Sequence, residues 1–518
     1  MTAEWAYFVA LGIFAYRSGG TFAVGLVGLI RMLPSALVAP FASFLGDRYS
    51  RQRVLVALQL AKTAAVSASA VAFFLDAPDP VIYALAAIVG IALTLYWPIQ
   101  SAIVPWLGKR PAEVIAANAA SSTIESLGIL IGPLLGGALV AATDPGVAFS
   151  ASAGLHLFAA LMLARIHVDV ERLRSVKLSD KILADAGAGW TAIWRSRGAR
   201  LIVALFWAQS AVRGALNVLT VVAGLSLLHV GSSGVGFLTA APGAGGLFGG
   251  VVALSLVGRR IGVPFGLGMI AWGLPIALIA AWPNPWLAFL LLAVVGAGNS
   301  VLDVAGVTLL QRAVPDEHLA RVFGVLYGGA MGAVGVGSIG AAWLTSAFGV
   351  RGGLVTTGLF LPLLAFLFWR HLLAVDRNAT LPAQELALMR QVPMFAQLSV
   401  AATEHLARRL IPVVFPAGAN VVRQGEVGDR FYVVASGDAD VECDGRALEP
   451  LHAGDFFGEI ALLRDIPRTA TVTARTDVRL YALERDAFLS IATGHVVGRQ
   501  AAETTVKERL AAAAPTSR

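Results

Sequence analysis

Apolar residues fill most of the first 375 positions in blocks near 3–16, 20–44, 54–75, 80–107, 114–142, 147–167, 200–228, 234–257, 263–282, 285–311, 319–347 and 352–375. Charged residues fall mainly in the gaps. A helix needs about 20 apolar residues to cross ~30 Å of hydrocarbon, so these twelve blocks predict twelve membrane-crossing helices. The first block is short, since residues 3–16 as a helix cover only ~21 Å. Beyond residue 375 the pattern changes. Residues 376–392, with Asp376, Arg377 and Pro382, read as a linker. Pro393, Phe395, Leu398, Leu406 and Leu410, with polar residues between, then read as an amphipathic helix. After Pro416 come short β-rich runs punctuated by Gly418, Gly425, Gly428, Gly437, Gly445 and Gly454, a spacing that suits an antiparallel roll. Residues 496–512 read as a closing helix without an aromatic residue.

The expected fold is therefore a multi-pass α-helical membrane protein followed by a C-terminal β-roll (jelly roll) with flanking helices. The segments divide as 1–167 and 200–375 for two six-helix halves, 168–199 for the loop between them, 376–392 for the linker, 393–512 for the roll domain and 513–518 for a tail. Composition agrees. Of 518 residues 57% are hydrophobic and 14% charged, where soluble globular proteins carry about 25% charge. The net charge of +7 sits in loops, and this argues for lipid against nucleic acid as the partner. With a cytoplasmic N-terminus, the inner loops hold Arg48, Arg51, Arg53, Lys109, Arg110, Lys177, Lys181, Arg259, Arg260, Arg312 and Arg321, while the outer loops hold Arg17 and Arg351. This asymmetry puts both termini and the roll in the cytoplasm of a cell or inner membrane. Cys443 is the only cysteine, which rules out an intrachain disulfide and multi-Cys metal sites. His452 and His495 lack metal-ligand spacing, so no metal or cofactor is expected. No nucleophile–base constellation or Walker loop occurs, and an enzyme is not expected.

The two halves repeat. Gly20-Thr21 and Val24-Gly25 fall on Gly231-Ser232 and Val235-Gly236 at an offset of 211; Pro111-Ala-Glu113 falls on Pro315-Asp-Glu317, and Gly128 and Gly136 on Gly332 and Gly340, at an offset of 204. Six helices twice is the pattern of carriers with like halves. Carried to the seventh block, the offset of 211 implies a first helix short by roughly three turns. Either the chain start is misassigned or that helix is unusual.

Ser43-Phe-Leu-Gly-Asp47-Arg48-Tyr-Ser50-Arg51-Gln-Arg53 resembles the loop signature of the major facilitator superfamily, with serines where two glycines are expected. The resemblance implies a conformational latch of Asp47, Arg48 and Arg51, an acid among arginines that makes and breaks ion pairs as helices rock. Gly128-Ile-Leu-Ile-Gly132-Pro133-Leu-Leu-Gly136-Gly137 resembles the signature of the exporter branches, and glycines four apart also let a neighbouring helix approach closely. The layout is most similar to the efflux group containing enterobactin exporters and macrolide pumps. Charges inside spans cost ~2.5–3.5 kcal/mol each and so face partners or a wet cavity. Arg31, Lys62, Glu125, Arg213 and Asp303 are such residues. The family's cavity-lining helices would place Arg213 and Asp303 there, with Asp303 the leading proton-coupling candidate and Arg213 its counter-ion or a substrate anchor. Lys62 reads as snorkelling toward the cytoplasmic end. Arg31 and Glu125 read equally as a static pair or as functional groups. Glu4, near mid-membrane if the first helix is short, would be a second proton site.

The tail run Gly425-Glu-Val-Gly428-Asp429-Arg-Phe-Tyr-Val-Val-Ala-Ser-Gly437, followed by Phe457-Gly-Glu-Ile-Ala-Leu-Leu-Arg-Asp-Ile-Pro-Arg468-Thr-Ala-Thr-Val472, resembles the cyclic nucleotide-binding domain of catabolite activators, protein kinase regulatory subunits and gated channels. A cyclic phosphate keeps one negative charge and two exposed oxygens, which suit an Arg fork and backbone N–H groups. The resemblance implies that Arg468 holds the phosphate and Glu459 the ribose 2′-hydroxyl. Gly458, Ile460 and Ala461 would offer close backbone, and Ala470 would follow the clamp. Thr469 can bond a phosphate oxygen or a syn guanine, so cAMP and cGMP both stay open, with cAMP preferred. The combined expectation is a monomeric, proton-coupled exporter of small molecules regulated by cytoplasmic cyclic nucleotide. The alternative is a non-transporting, membrane-anchored nucleotide receptor. A channel is not expected, because no selectivity filter or Arg-rich voltage segment occurs.

Overall fold

The computed structural model describes residues 1–38, 50–107, 111–165, 189–254, 261–314, 316–378, 383–392, 395, 406–407 and 409–492. They divide into two compact units, Met1–Leu107 with Ala117–Ala379, and Thr380–Arg518 with Gly108–Ala116.

The first unit is helical. Its elements are α1 Thr2–Val38, α2 Arg51–Phe74, α3 Asp79–Leu107, α4 Pro111–Ala142, α5 Pro145–Arg165, α6 Arg197–Ser226, α7 Gly231–Leu254, α8 Gly262–Ala281, α9 Pro285–Ala313 and α10 Asp316–Asn378. Two of them are broken. Gly20 stands at φ 62° inside α1 and Gly349 at φ 70° inside α10, and each divides its helix into two arms. These are left-handed backbone positions that glycine adopts without a Cβ clash, so both breaks fall where the hydropathy also dips between blocks. Among the described residues, nine helices are long and apolar enough to cross a membrane, α1 and most of α10 counted as one each.

Glycines decide where these helices touch. On α4, a Cβ at Gly132 would stand 2.6 Å from Trp5 Cβ and one at Gly136 would stand 2.5 Å from the Ala6 carbonyl oxygen, so the four-residue glycine spacing seats the first arm of α1 against α4. The second half repeats this contact between α6 and α10, where Gly329 lies on the Trp207 ring and Gly337 on the Ala211 carbonyl. The matching pairs are thus Gly128 with Gly329 and Gly136 with Gly337. That corrects the sequence pairing of these glycines with Gly332 and Gly340, because a Cβ at Gly340 would meet nothing within 4 Å. The turn pairing of Gly20 with Gly231 holds, since Gly231 also has a positive φ, 67°. Across the halves, the second arm of α1 runs along α10. A Cβ at Gly25 would stand 2.7 Å from Ala342 Cβ, and one at Gly28 would stand 2.6 Å from Ser338 Cβ.

The second unit is a roll of two four-stranded antiparallel sheets, β1-β8-β3-β6 and β2-β7-β4-β5. Its strands are β1 Ile411–Phe415, β2 Asn420–Val422, β3 Arg430–Ser436, β4 Ala439–Cys443, β5 Arg446–Ala447, β6 Phe456–Phe457, β7 Thr471–Ala474 and β8 Val478–Glu484. The helices are α11 Ala383–Gln391, α12 Glu459–Arg464 and α13 Arg485–Ala492. Strand β3 is covered on both faces, which is why it reads as an unbroken apolar run. Phe431 and Val433 face a core with Phe395, Phe456 and Phe488, while Tyr432 and Val434 face the space between the sheets with Val472 and Leu480. Met389 and Val392 are fully buried in the first of these cores. The stretch read as a linker therefore includes a helix of the roll. Its Leu388 and Met389 acquire their partners only when the sheet has formed. The 168–188 part of the inter-half loop and the closing helix at 496–512 lie outside the described residues.

Candidate functional site

The second of the two tail runs singled out in the sequence lines a cavity of about 580 Å3, and the first run braces it from behind. Backbone hydrogen bonds join them. Gly425 N–H donates to the Arg468 carbonyl at 2.9 Å, and Arg468 N–H donates to the Glu426 carbonyl at 2.7 Å. This exchange fixes Arg468 at the cavity wall from its main chain outward. Its guanidinium is only 5% exposed. Nη2 donates to the Arg430 carbonyl at 2.8 Å, Nη1 donates to the Gly458 carbonyl at 3.2 Å, and Asp429 Oδ1 stands 3.5 Å from Nη2. Burial pulls the Arg468 pKa down from its usual range, opposed by Tyr432 and Asp429; with so high a starting value the group stays a cation. A charge held mainly by neutral carbonyls in a buried wall still seeks an anion.

Gly458, Glu459, Ile460, Ala461, Thr469 and Ala470 line the same cavity. Glu459 is buried at the first position of α12, and Gly458 caps that helix at φ 91°. A Cβ at Gly458 would stand 2.5 Å from Arg468 Nη1, so this position needs glycine both for its backbone and for the arginine beside it. Gly458→Ala is expected to displace the guanidinium and weaken cyclic nucleotide binding at least ten-fold, measured by titration calorimetry.

The sequence reading missed the opposite wall. Val422, Val441, Cys443, Arg446, Leu448 and Val472 also line the cavity. Period-two alternation along β4 puts Val441 and Cys443 on its inner face, the only advance signal for them. Cys443 Sγ lies 3.2 Å from the Thr469 carbonyl, and burial, with Asp444 beside it, raises the thiol pKa. His452 pairs with Asp438 at 2.7 Å on the surface.

In the membrane unit the charged residues form two clusters. Arg213 and Asp303, expected as neighbours, stand 3.7 Å apart and are partly exposed. Asn299, absent from the sequence reading, connects them. It takes a 2.7 Å hydrogen bond from Arg213 and gives a 2.8 Å one to Asp303. The other cluster revises one expectation. Lys62 does not snorkel. It is 3% exposed, 3.7 Å from Glu4 and 4.6 Å from the centre of the Tyr96 ring. Arg31 pairs with Glu4 at 3.1 Å and lies over Phe8. The first arm of α1 thus carries Glu4 within reach of Lys62 on α2, and the buried acid faces two cations. The Glu125 side chain lies outside the described residues, as do Asp47, Arg48 and the Arg51 side chain of the proposed latch.

Residues 1–264 and 228–422 match the Major Facilitator Superfamily, and residues 412–495 match the cyclic nucleotide-binding domain. The resemblances to the major facilitator superfamily and to the cyclic nucleotide-binding domain are met. A cAMP-dependent protein kinase regulatory subunit of Yarrowia lipolytica is 41% identical over 102 residues, 19% of this chain and 27% of that protein. A cyclic nucleotide-gated potassium channel of Rhizobium etli is 38% identical over 122 residues, 23% of this chain and 34% of that protein. The chain thus spans about a quarter to a third of the length of these curated relatives. Among solved structures, the regulatory domain of Toxoplasma gondii PKA with cAMP is similar at 27% identity and a TM-score of 0.24, over 28% of this chain and 56% of that one. The catabolite activator protein of Thermus thermophilus is similar at 27% identity and a TM-score of 0.21, over 23% and 58%. The chain is a multi-pass membrane protein that belongs to the Major Facilitator Superfamily and carries a cyclic nucleotide-binding domain toward its C-terminus.

Proposed function

We propose that the protein is a secondary transporter of small molecules whose conformational equilibrium is set by a cyclic nucleotide bound in the tail. The observation that carries this reading is the buried Arg468 guanidinium at the wall of a nucleotide-sized cavity, opposite Glu459, in a chain whose other unit is a superfamily carrier. Arg468 takes the cyclic phosphate and Glu459 the ribose 2′-hydroxyl. Thr469 meets the phosphate or the base. The kinase regulatory relatives are cAMP-dependent by name, which supports cAMP over cGMP. Asp303 serves as the proton-coupling group and Arg213 as its counter-ion, in an exporter of the inner membrane with both termini in the cytoplasm. A coupling of about 1–3 kcal/mol shifts the carrier's states by about 5–150-fold, and by linkage the transported substrate changes nucleotide affinity by the same factor.

The test is calorimetric titration of the purified full chain with cAMP and cGMP, followed by flux into proteoliposomes under a pH gradient with and without the bound nucleotide. Saturable binding with a several-fold change in flux is expected. If neither nucleotide binds, the sensor reading is lost. If nucleotide binds but no gradient drives flux of any compound in a broad panel, the anchored receptor takes its place.

A further inference from the structure

Gln209 and Arg213 lie one turn apart on α6, and Asn299 and Asp303 lie one turn apart on α9. These two pairs face each other, and the contact between them has one centre. Asn299 Oδ1 accepts hydrogen bonds from Gln209 Nε2 at 2.9 Å, from Arg213 Nη2 at 2.7 Å and from Trp272 Nε1 of α8 at 2.9 Å. Arginine and tryptophan nitrogens only donate, so the amide cannot be turned end for end, and its Nδ2 must face Asp303 Oδ2, 2.8 Å away. Two of the three donors come from side chains that are fully or almost fully buried, Gln209 at 0% and Trp272 at 2% exposure. The consequence falls on the carboxylate. Arg213 makes its hydrogen bond to Asn299 and stops 3.7 Å short of Asp303, while Asp303 Oδ1 has no hydrogen-bond partner. Besides Arg213, the titratable group that the field of Asp303 reaches is Tyr327 on α10.

We propose that Asn299 is a positioning residue that holds Arg213 off Asp303, so that the buried Oδ1 of the carboxylate stays unpaired and can take up a proton. This rests on the reading of Asp303 as the coupling residue. Without the amide, Arg213 loses its nearest acceptor and closes onto Asp303 as a direct ion pair, which locks the acid in its charged form.

The experiment needs no knowledge of the substrate. Dicyclohexylcarbodiimide modifies protonated carboxyl groups in apolar surroundings, and peptide mass spectrometry of the full chain in detergent locates the adduct. Wild-type protein is expected to be labelled at Asp303 between pH 5 and 8. Asn299→Leu and Asn299→Ala, two variants of different size, are each expected to label at least ten-fold more slowly. Adding Arg213→Gln to either is expected to restore the rate to within two-fold of wild type. Labelling that is unchanged or faster in both Asn299 variants, or slow labelling that Arg213→Gln does not restore, overturns the positioning role alone. A wild-type Asp303 that is unlabelled across the whole pH range overturns the coupling reading, and the positioning role with it.

Discussion

Arg468→Ala is expected to abolish measurable binding of cyclic nucleotide while leaving the membrane unit folded. Removing one member of a buried, hydrogen-bonded charge pair costs about 2–5 kcal/mol, much of it from the partner left behind; that is a loss of affinity of about 30- to 5000-fold. The guanidinium is nearly closed to solvent and is held by the Arg430 and Gly458 carbonyls, so its charge is pre-oriented before ligand arrives. Arg468→Lys keeps the charge but loses the planar fork, and it should recover only part of the affinity. Calorimetry on the three proteins measures this ladder. Equal affinity for wild type and Arg468→Ala would remove the arginine from the site.

The second large effect is on stability. Glu4 is enclosed with Arg31 and Lys62, all three side chains at most 6% exposed. Glu4→Gln leaves two buried cations facing a neutral amide, and breaking a buried pair in this way costs about 3–5 kcal/mol. The midpoint of thermal unfolding in detergent should fall accordingly. Lys62→Leu in the same background returns the cluster to its starting net charge, and most of the loss should be regained. A double variant no more stable than Glu4→Gln alone would show that the three groups are not electrostatically coupled.

The membrane unit was largely legible because hydropathy acts over whole blocks, and a block of twenty apolar residues announces a helix without regard to its neighbours. The phosphate cassette was legible for the opposite reason. Gly458, Glu459 and Arg468 lie within eleven positions, and their chemistry is local. What escaped depends on contacts between distant segments. Lys62 looked like a residue near a helix end until α1 supplied Glu4 from 58 positions away. Asn299 carries no charge and so did not stand out beside the ionisable residues of the spans, yet it connects Arg213 and Asp303. Residues 383–391 bunch their apolar positions at 386–389 in a stretch too short to declare a buried helix, and Met389 gains its partners from strands that follow later. The glycine repeat was right in kind but its partners were displaced, because sequence matching cannot tell a glycine under a neighbouring backbone from one facing open space.

The seam between the second arm of α1 and α10 has a mechanical consequence. Where Gly25 and Gly28 meet Ala342 and Ser338, the two halves face each other with almost no side chain to interlock. Long side chains crossing that line would have to leave their rotamer wells each time the halves tilted, and every turnover would meet that resistance. A seam of glycine faces against one methyl and one hydroxymethyl group behaves as a bearing, offering little friction to rotation about it. Resistance to tilting is then concentrated away from these two glycines, where the longer Leu29 and Met32 side chains reach Gly335 of α10.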